Sequence, residues 1–142
     1  MIVTGCGDKE LMAWDFRSLT GCLREYQRNT EAVCALIVQD DAAVLAKVAT
    51  DAEFDTDTLG VCSAMIFATS RMLLRELKTE GDVLGRITIG SDYNLLVVGI
   101  TPNIALATLY RNWFSTGLLE HQARAIMPRM IDCLVRERME VS

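Results

Sequence analysis

Residues 32–39 read Ala-Val-Cys-Ala-Leu-Ile-Val-Gln, a continuous apolar run that ends on a single amide. In an extended chain successive side chains point to opposite sides, so this run is apolar on both faces. A strand of that kind belongs inside a sheet that is covered above and below. Asp40-Asp41-Ala42 follows, and Ala43 to Thr50 then reads as a second strand, completing a hairpin. The second strand carries Lys47 among small residues, which suits a sheet edge, where charge discourages pairing with other chains.

The cover must come from helices. Residues 9–28 place Met12, Phe16, Leu19, Leu23 and Tyr26 at steps of four and three, one stripe on a helix with Asp8 as its cap. Gly21 weakens that helix by about 1 kcal/mol relative to alanine. Residues 56–80 form the longest helical segment, capped by Thr56, with Asp57 in the first turn and Gly81 as its stop. Three strands follow at 83–90, 93–101 and 104–111, joined through Gly90-Ser91-Asp92 and Thr101-Pro102-Asn103. A last helix spans about 117–139, capped by Ser115 or Thr116, with a kink or break expected near Met127 because Pro128 lies inside it. The order α-β-β-α-β-β-β-α, dominated by hairpins, predicts an α/β (α+β) three-layer sandwich: a five-stranded antiparallel sheet with helices on both faces. At 142 residues the chain makes one domain, expected over 9–142 behind a flexible terminus at 1–8.

Several functions are disfavoured. Fourteen Lys and Arg against nineteen Asp and Glu give a net charge of −5, without the basic footprint of a nucleic-acid binder. No apolar run is long enough to insert in a membrane, and the N-terminus lacks the pattern of a secretory signal, so a cytoplasmic protein is expected. The five cysteines, Cys6, Cys22, Cys34, Cys62 and Cys133, show no paired zinc spacing, and most read as small buried hydrophobes, so no metal is expected. There is no phosphate-cradling loop, and Gly5-Cys6-Gly7 follows no strand, so no cofactor is expected either. The sole histidine, His121, reads as a solvated surface residue beside Glu120, and no constellation makes an enzyme. Trp113-Phe114 reads as cover for the end of the sheet, with a recognition site as the alternative.

The second helix is apolar on two sides. A wheel at 100° per residue groups Leu59, Cys62, Ile66, Phe67, Leu73, Leu74 and Leu77, with Ser63 and Ser70 among them, as the face seated on the sheet. Val61, Met65, Ala68 and Met72 make a second stripe at steps of four, three and four, the pattern of a helix–helix seam. One sheet does not need both stripes, so the second is expected to meet another chain; the plainer alternative is cover by the first or last helix. Arg71, Arg75 and Lys78 form a basic band between the stripes, either recognition charges or a solvated face. In the strand that follows, Val83, Gly85, Ile87 and Ile89 face one way and Leu84, Arg86 and Thr88 the other. Such an apolar edge invites pairing with its own copy, and Leu84, Arg86 and Thr88 are counted with the interface.

The order of these pieces resembles the Roadblock dynein light chain family, of the MglB type. The likeness rests on Ala-Leu-Ile-Val-Gln-Asp-Asp at 35–41, Asp-Thr-Leu-Gly-Val-Cys-Ser-Ala-Met at 57–65, Ile-Thr-Ile-Gly-Ser-Asp-Tyr-Asn-Leu-Leu-Val-Val at 87–98, Ile-Ala-Leu-Ala-Thr-Leu-Tyr at 104–110 and Thr-Gly-Leu-Leu at 116–119. The hairpin departs from the family, which usually turns through Asp-Gly, so a longer or different turn is expected here. The resemblance implies a profilin-like sandwich dimerising through its third strand and second helix. It also implies a non-catalytic partner of small Ras-like GTPases; in MglB-type relatives the dimer stimulates hydrolysis without an arginine finger. Alternatives are a structural subunit heterodimerising with another Roadblock domain, and a small-molecule sensor.

Overall fold

The computed structural model of the chain describes residues 16–50 and 54–141. The order of elements is α1 (Phe16–Thr30), β1 (Cys34–Gln39), β2 (Val44–Ala49), α2 (Thr56–Glu76), β3 (Leu84–Ile89), β4 (Tyr93–Thr101), β5 (Ile104–Arg111) and α3 (Thr116–Val141). The strands form one antiparallel sheet in the order β2-β1-β5-β4-β3. As expected, β1 is interior, and the Lys47 strand, β2, is an edge. The other edge is β3.

The sheet separates two cores. Even positions of the central strands, Leu96, Val98, Leu106 and Tyr110, meet Leu19, Leu23 and Tyr26 of α1 and Leu119, Ala123 and Met130 of α3. Odd positions, Leu95, Val97, Ala105, Ala107 and Leu109, meet Phe67 of α2. The alternation that made residues 32–39 apolar on both sides thus fills two cores: Ala35 and Ile37 lie in one, Cys34, Leu36 and Val38 in the other. A buried hydrogen bond of 2.8 Å joins the hydroxyls of Tyr26 and Thr108, fixing α1 to β5.

The ends of the elements correct several expectations. Asp55, not Thr56, caps α2: its carboxylate accepts the N–H of Asp57 and Thr58, both at 3.1 Å, and the Thr58 hydroxyl at 2.7 Å. These three donors hold its carboxyl below the usual carboxylate range, the Thr58 hydroxyl foremost. The helix ends at Glu76, short of Gly81. Lys78 takes a left-handed backbone (φ 53°), and the Thr79 and Lys78 N–H groups bond back to the carbonyls of Leu74 and Arg75. These bonds make a Schellman close with a lysine at the usual glycine position. Ser115 caps α3, and the helix continues through Pro128 without a break. The expected cap Asp8, the stripe residue Met12, Cys6 and the terminus at 1–8 lie outside the described residues.

Candidate partner-binding face

Helix α2 is seated by small residues. Gly60, Ser63, Ala64 and Phe67 are its buried positions, a row at spacings of three, one and three. A β-carbon on Gly60 would lie 2.7 Å from Val44 Cγ2, and one on Gly85 of β3 would lie 2.6 Å from Ile66 Cγ2 and 2.8 Å from Ser70 Oγ. Both glycines therefore let the helix lie directly on the strands, Gly60 at β2 and Gly85 at β3.

This seat corrects the wheel. Cys62, Leu73 and Leu77, assigned to the sheet, are exposed, the last two by 54% and 70%. The sheet-facing arc is rotated by roughly a quarter turn from the most hydrophobic arc. Close packing selected small side chains at the contact and left large ones outside. Of the second stripe, Val61, Met65 and Met72 are exposed and Ala68 is half-buried at the margin. Neither α1 nor α3 covers them, because both lie on the opposite face of the sheet.

The outward surface of α2 continues onto β3. Ile87 and Ile89 are also exposed, and the free hydrogen-bonding edge of the sheet runs alongside them. An open cavity of about 450 Å³ lies between helix and strand, lined by Cys62, Met65, Ile66, Thr69, Gly85 and Ile87 among others. On the other side of β3, Leu84 packs half-buried against the α1–α3 core, Arg86 donates to the Thr116 hydroxyl at 3.3 Å, and Thr88 is exposed.

The three basic residues do not form one ridge. Arg71 turns toward the sheet: its guanidinium lies 4.8 Å from the centre of the Phe67 ring, bonds the Pro102 carbonyl, and stands 3.8 Å from the Asp40 carboxylate. It ties α2 to the β1–β2 and β4–β5 turns. Arg75 and Lys78 remain exposed, Lys78 beyond the helix end.

The described residues hold no group of three His, Cys, Asp or Glu that could bind a metal, and no helix among them is long and apolar enough to cross a membrane. Cys22, Cys34 and Cys133 are buried. Burial pushes the Cys34 thiol up to about 11, against a smaller opposing pull from Lys47, so it is protonated and a poor nucleophile at neutral pH. His121 is exposed. The expected cover at the sheet end holds for half-buried Phe114 but not for Trp113, which is 67% exposed.

These features define a profilin-like sandwich with an uncovered helix-and-edge face, and the fold is that of Roadblock and MglB proteins. MglB of Myxococcus xanthus superposes with a TM-score of 0.77 at 13% identity, over 87% of this chain and 92% of that one. An MglB with tetrameric arrangement follows at 0.73 and 17%, covering 86% and 91%. A Roadblock/LC7 domain from Streptomyces avermitilis gives 0.69 and 12%, covering 82% and 97%. Profilin of Schizosaccharomyces pombe shares the architecture at 0.54. No protein-family model and no curated protein matches the sequence.

Proposed function

We propose that this chain is a non-catalytic cytoplasmic Roadblock-type regulator that dimerises through α2 and β3 and binds a small Ras-like GTPase, stimulating its GTP hydrolysis. The observation that carries the reading is the continuous apolar face of Val61, Met65, Met72, Leu73, Ile87 and Ile89 beside an open sheet edge. Monomers rarely expose such a face. A two-fold axis there would pair α2 with its copy and β3 with its copy, burying the side chains and satisfying the edge together. The tetrameric arrangement of one similar MglB supports self-association of this fold. Arg75 and Lys78 then border the paired helices as recognition charges, while Arg71 holds the platform.

The test is a pull-down with small GTPases from the same cell, loaded in turn with GDP and a GTP analogue, followed by single-turnover hydrolysis. Nucleotide-dependent binding with faster hydrolysis is expected. Binding with unchanged hydrolysis reduces the role to scaffolding, and absence of binding removes it. Calorimetric titration of the chain alone with GTP and magnesium is expected to show no binding.

A second reading, a small-molecule sensor, is favoured by the size of the α2–β3 cavity, which lies in the usual range for ligand sites. It requires the chain to stay monomeric with that cavity open.

A further inference from the structure

Helices α1 and α3 lie side by side over the sheet, and their contact carries two thiols. Glu25 of α1 pairs with Arg129 of α3. One turn earlier on α1, Cys22 shares an open groove of about 470 Å³ with Cys133, one turn later on α3. The helices therefore run in opposite directions, and the two cysteines stand at the same level of the pair. Both are buried in the core beneath the helices, and both also line the groove.

Their surroundings differ from those of the other described cysteines. The pKa of Arg129 is raised, foremost by its hydrogen bond to Glu25, then by the electrostatic influence of Cys22, with Cys133 a smaller cause, so one guanidinium lies within reach of both sulfurs. A positive charge there stabilises a thiolate as it forms. Gly21 lines the same groove, exposed, with nothing within 4 Å of where a β-carbon would stand, which leaves the approach to the thiols open. Cys34 lies in the other core, on the α2 side of the sheet, and Cys62 is exposed on α2 itself.

We propose that Cys22 and Cys133 form a reversible disulfide between α1 and α3 when the chain meets a hydroperoxide. One thiolate sulfur attacks the O–O bond and becomes a sulfenic acid, releasing the alcohol, or water where the oxidant is hydrogen peroxide. The second sulfur attacks the sulfenic sulfur and expels water. In sum, two thiols and one hydroperoxide give one disulfide, one alcohol and one water. Two electrons pass from sulfur to oxygen, and both thiol protons end on oxygen. A dithiol reductant returns both thiols by exchange. In a reducing compartment such a bond is a switch rather than a permanent staple. Closed, it joins α1 to α3 through a long loop and so removes freedom from the unfolded chain. It stands across the sheet from the α2–β3 face and does not depend on what covers that face.

The experiment oxidises the full chain, folded, with hydrogen peroxide, then unfolds and alkylates it and digests it with trypsin without reduction. Mass spectrometry is expected to find peptide 18–24 joined to peptide 130–136, with Cys34 recovered as an alkylated thiol. The linked chain should run at monomer size on a non-reducing gel, and dithiothreitol should remove the link. Oxidised protein should melt about 5–15 °C above reduced protein, and Cys22→Ser or Cys133→Ser should lose both the link and the rise. The link is read in the parent chain, so a variant that fails to fold leaves the test intact. The proposal is overturned if the two peptides are recovered unlinked, as thiols or as sulfinic acids. It is also overturned if either is joined to Cys62 or to another chain instead, or if the link forms only in urea.

Discussion

Individual residues carry tensions that substitutions can release. Gly21 lies within α1 with nothing within 4 Å of where a β-carbon would stand, so the helix bears the cost of glycine without a packing reason. Ala42 is its converse. The β1–β2 hairpin turns through Gln39 to Ala43, with Ala42 left-handed at φ 76° and the Asp41 carboxylate accepting the Ala43 N–H. This turn imposes on alanine a conformation that suits glycine. Gly21→Ala and Ala42→Gly should each stabilise by about 0.5–1 kcal/mol in urea unfolding. Ser63 is fully buried beneath α2, and its hydroxyl has no hydrogen-bond partner. Ser63→Ala removes an unsatisfied group at little cost in volume, so a gain of about 1 kcal/mol is expected; a loss above that size would reveal a bond the hydroxyl does make.

Among the elements, α2 shows both what its sequence declares and what it hides. The existence of the helix, its length to within a turn, and the outward placement of Val61, Met65 and Met72 were legible, because their spacing is helical and the interior strands need cover. The seat was not legible from hydrophobicity, since Gly60, Ser63 and Ala64 rank below Leu73 and Leu77, which stand outside. The signal that marks it is the row of small residues ending on Phe67, matched by Gly85 on the strand. Gly85→Val should therefore lift α2 from β3 and lower the melting temperature by several degrees, about 2–3 kcal/mol of overpacking. Arg71 was grouped with Arg75 by spacing alone, and only the fold shows that the β4–β5 turn comes within its reach. At the start of α2, the Asp55 cap makes a pH prediction. Its folded pKa is depressed, so its contribution is complete above about pH 5 and is lost as the pH falls below its ordinary value, near 3.8. Melting of Asp55→Ala beside the parent should show a deficit at pH 7 that shrinks toward pH 3.

At the scale of the molecule, the two cores account for every large apolar side chain of the central strands, and neither reaches the outer surface of α2. The sandwich was legible because strand alternation, turn residues and helical stripes agree with one another. The proposed interface was legible only as a surplus of apolar surface, because nothing in one chain specifies which second chain covers it. The central claim is that this surplus is a dimer seam. Met65 and Met72 are each 64% exposed, so glutamates there should not disturb the folded protomer. In a seam they would be buried carboxylates without partners, costing several kcal/mol across two copies. Sedimentation velocity of the parent and of Met65→Glu with Met72→Glu, with circular dichroism to check the fold, measures this directly. The expected result is a dimer for the parent and a folded monomer for the double variant. A monomeric parent, or a double variant that remains a dimer with its fold intact, would contradict the account.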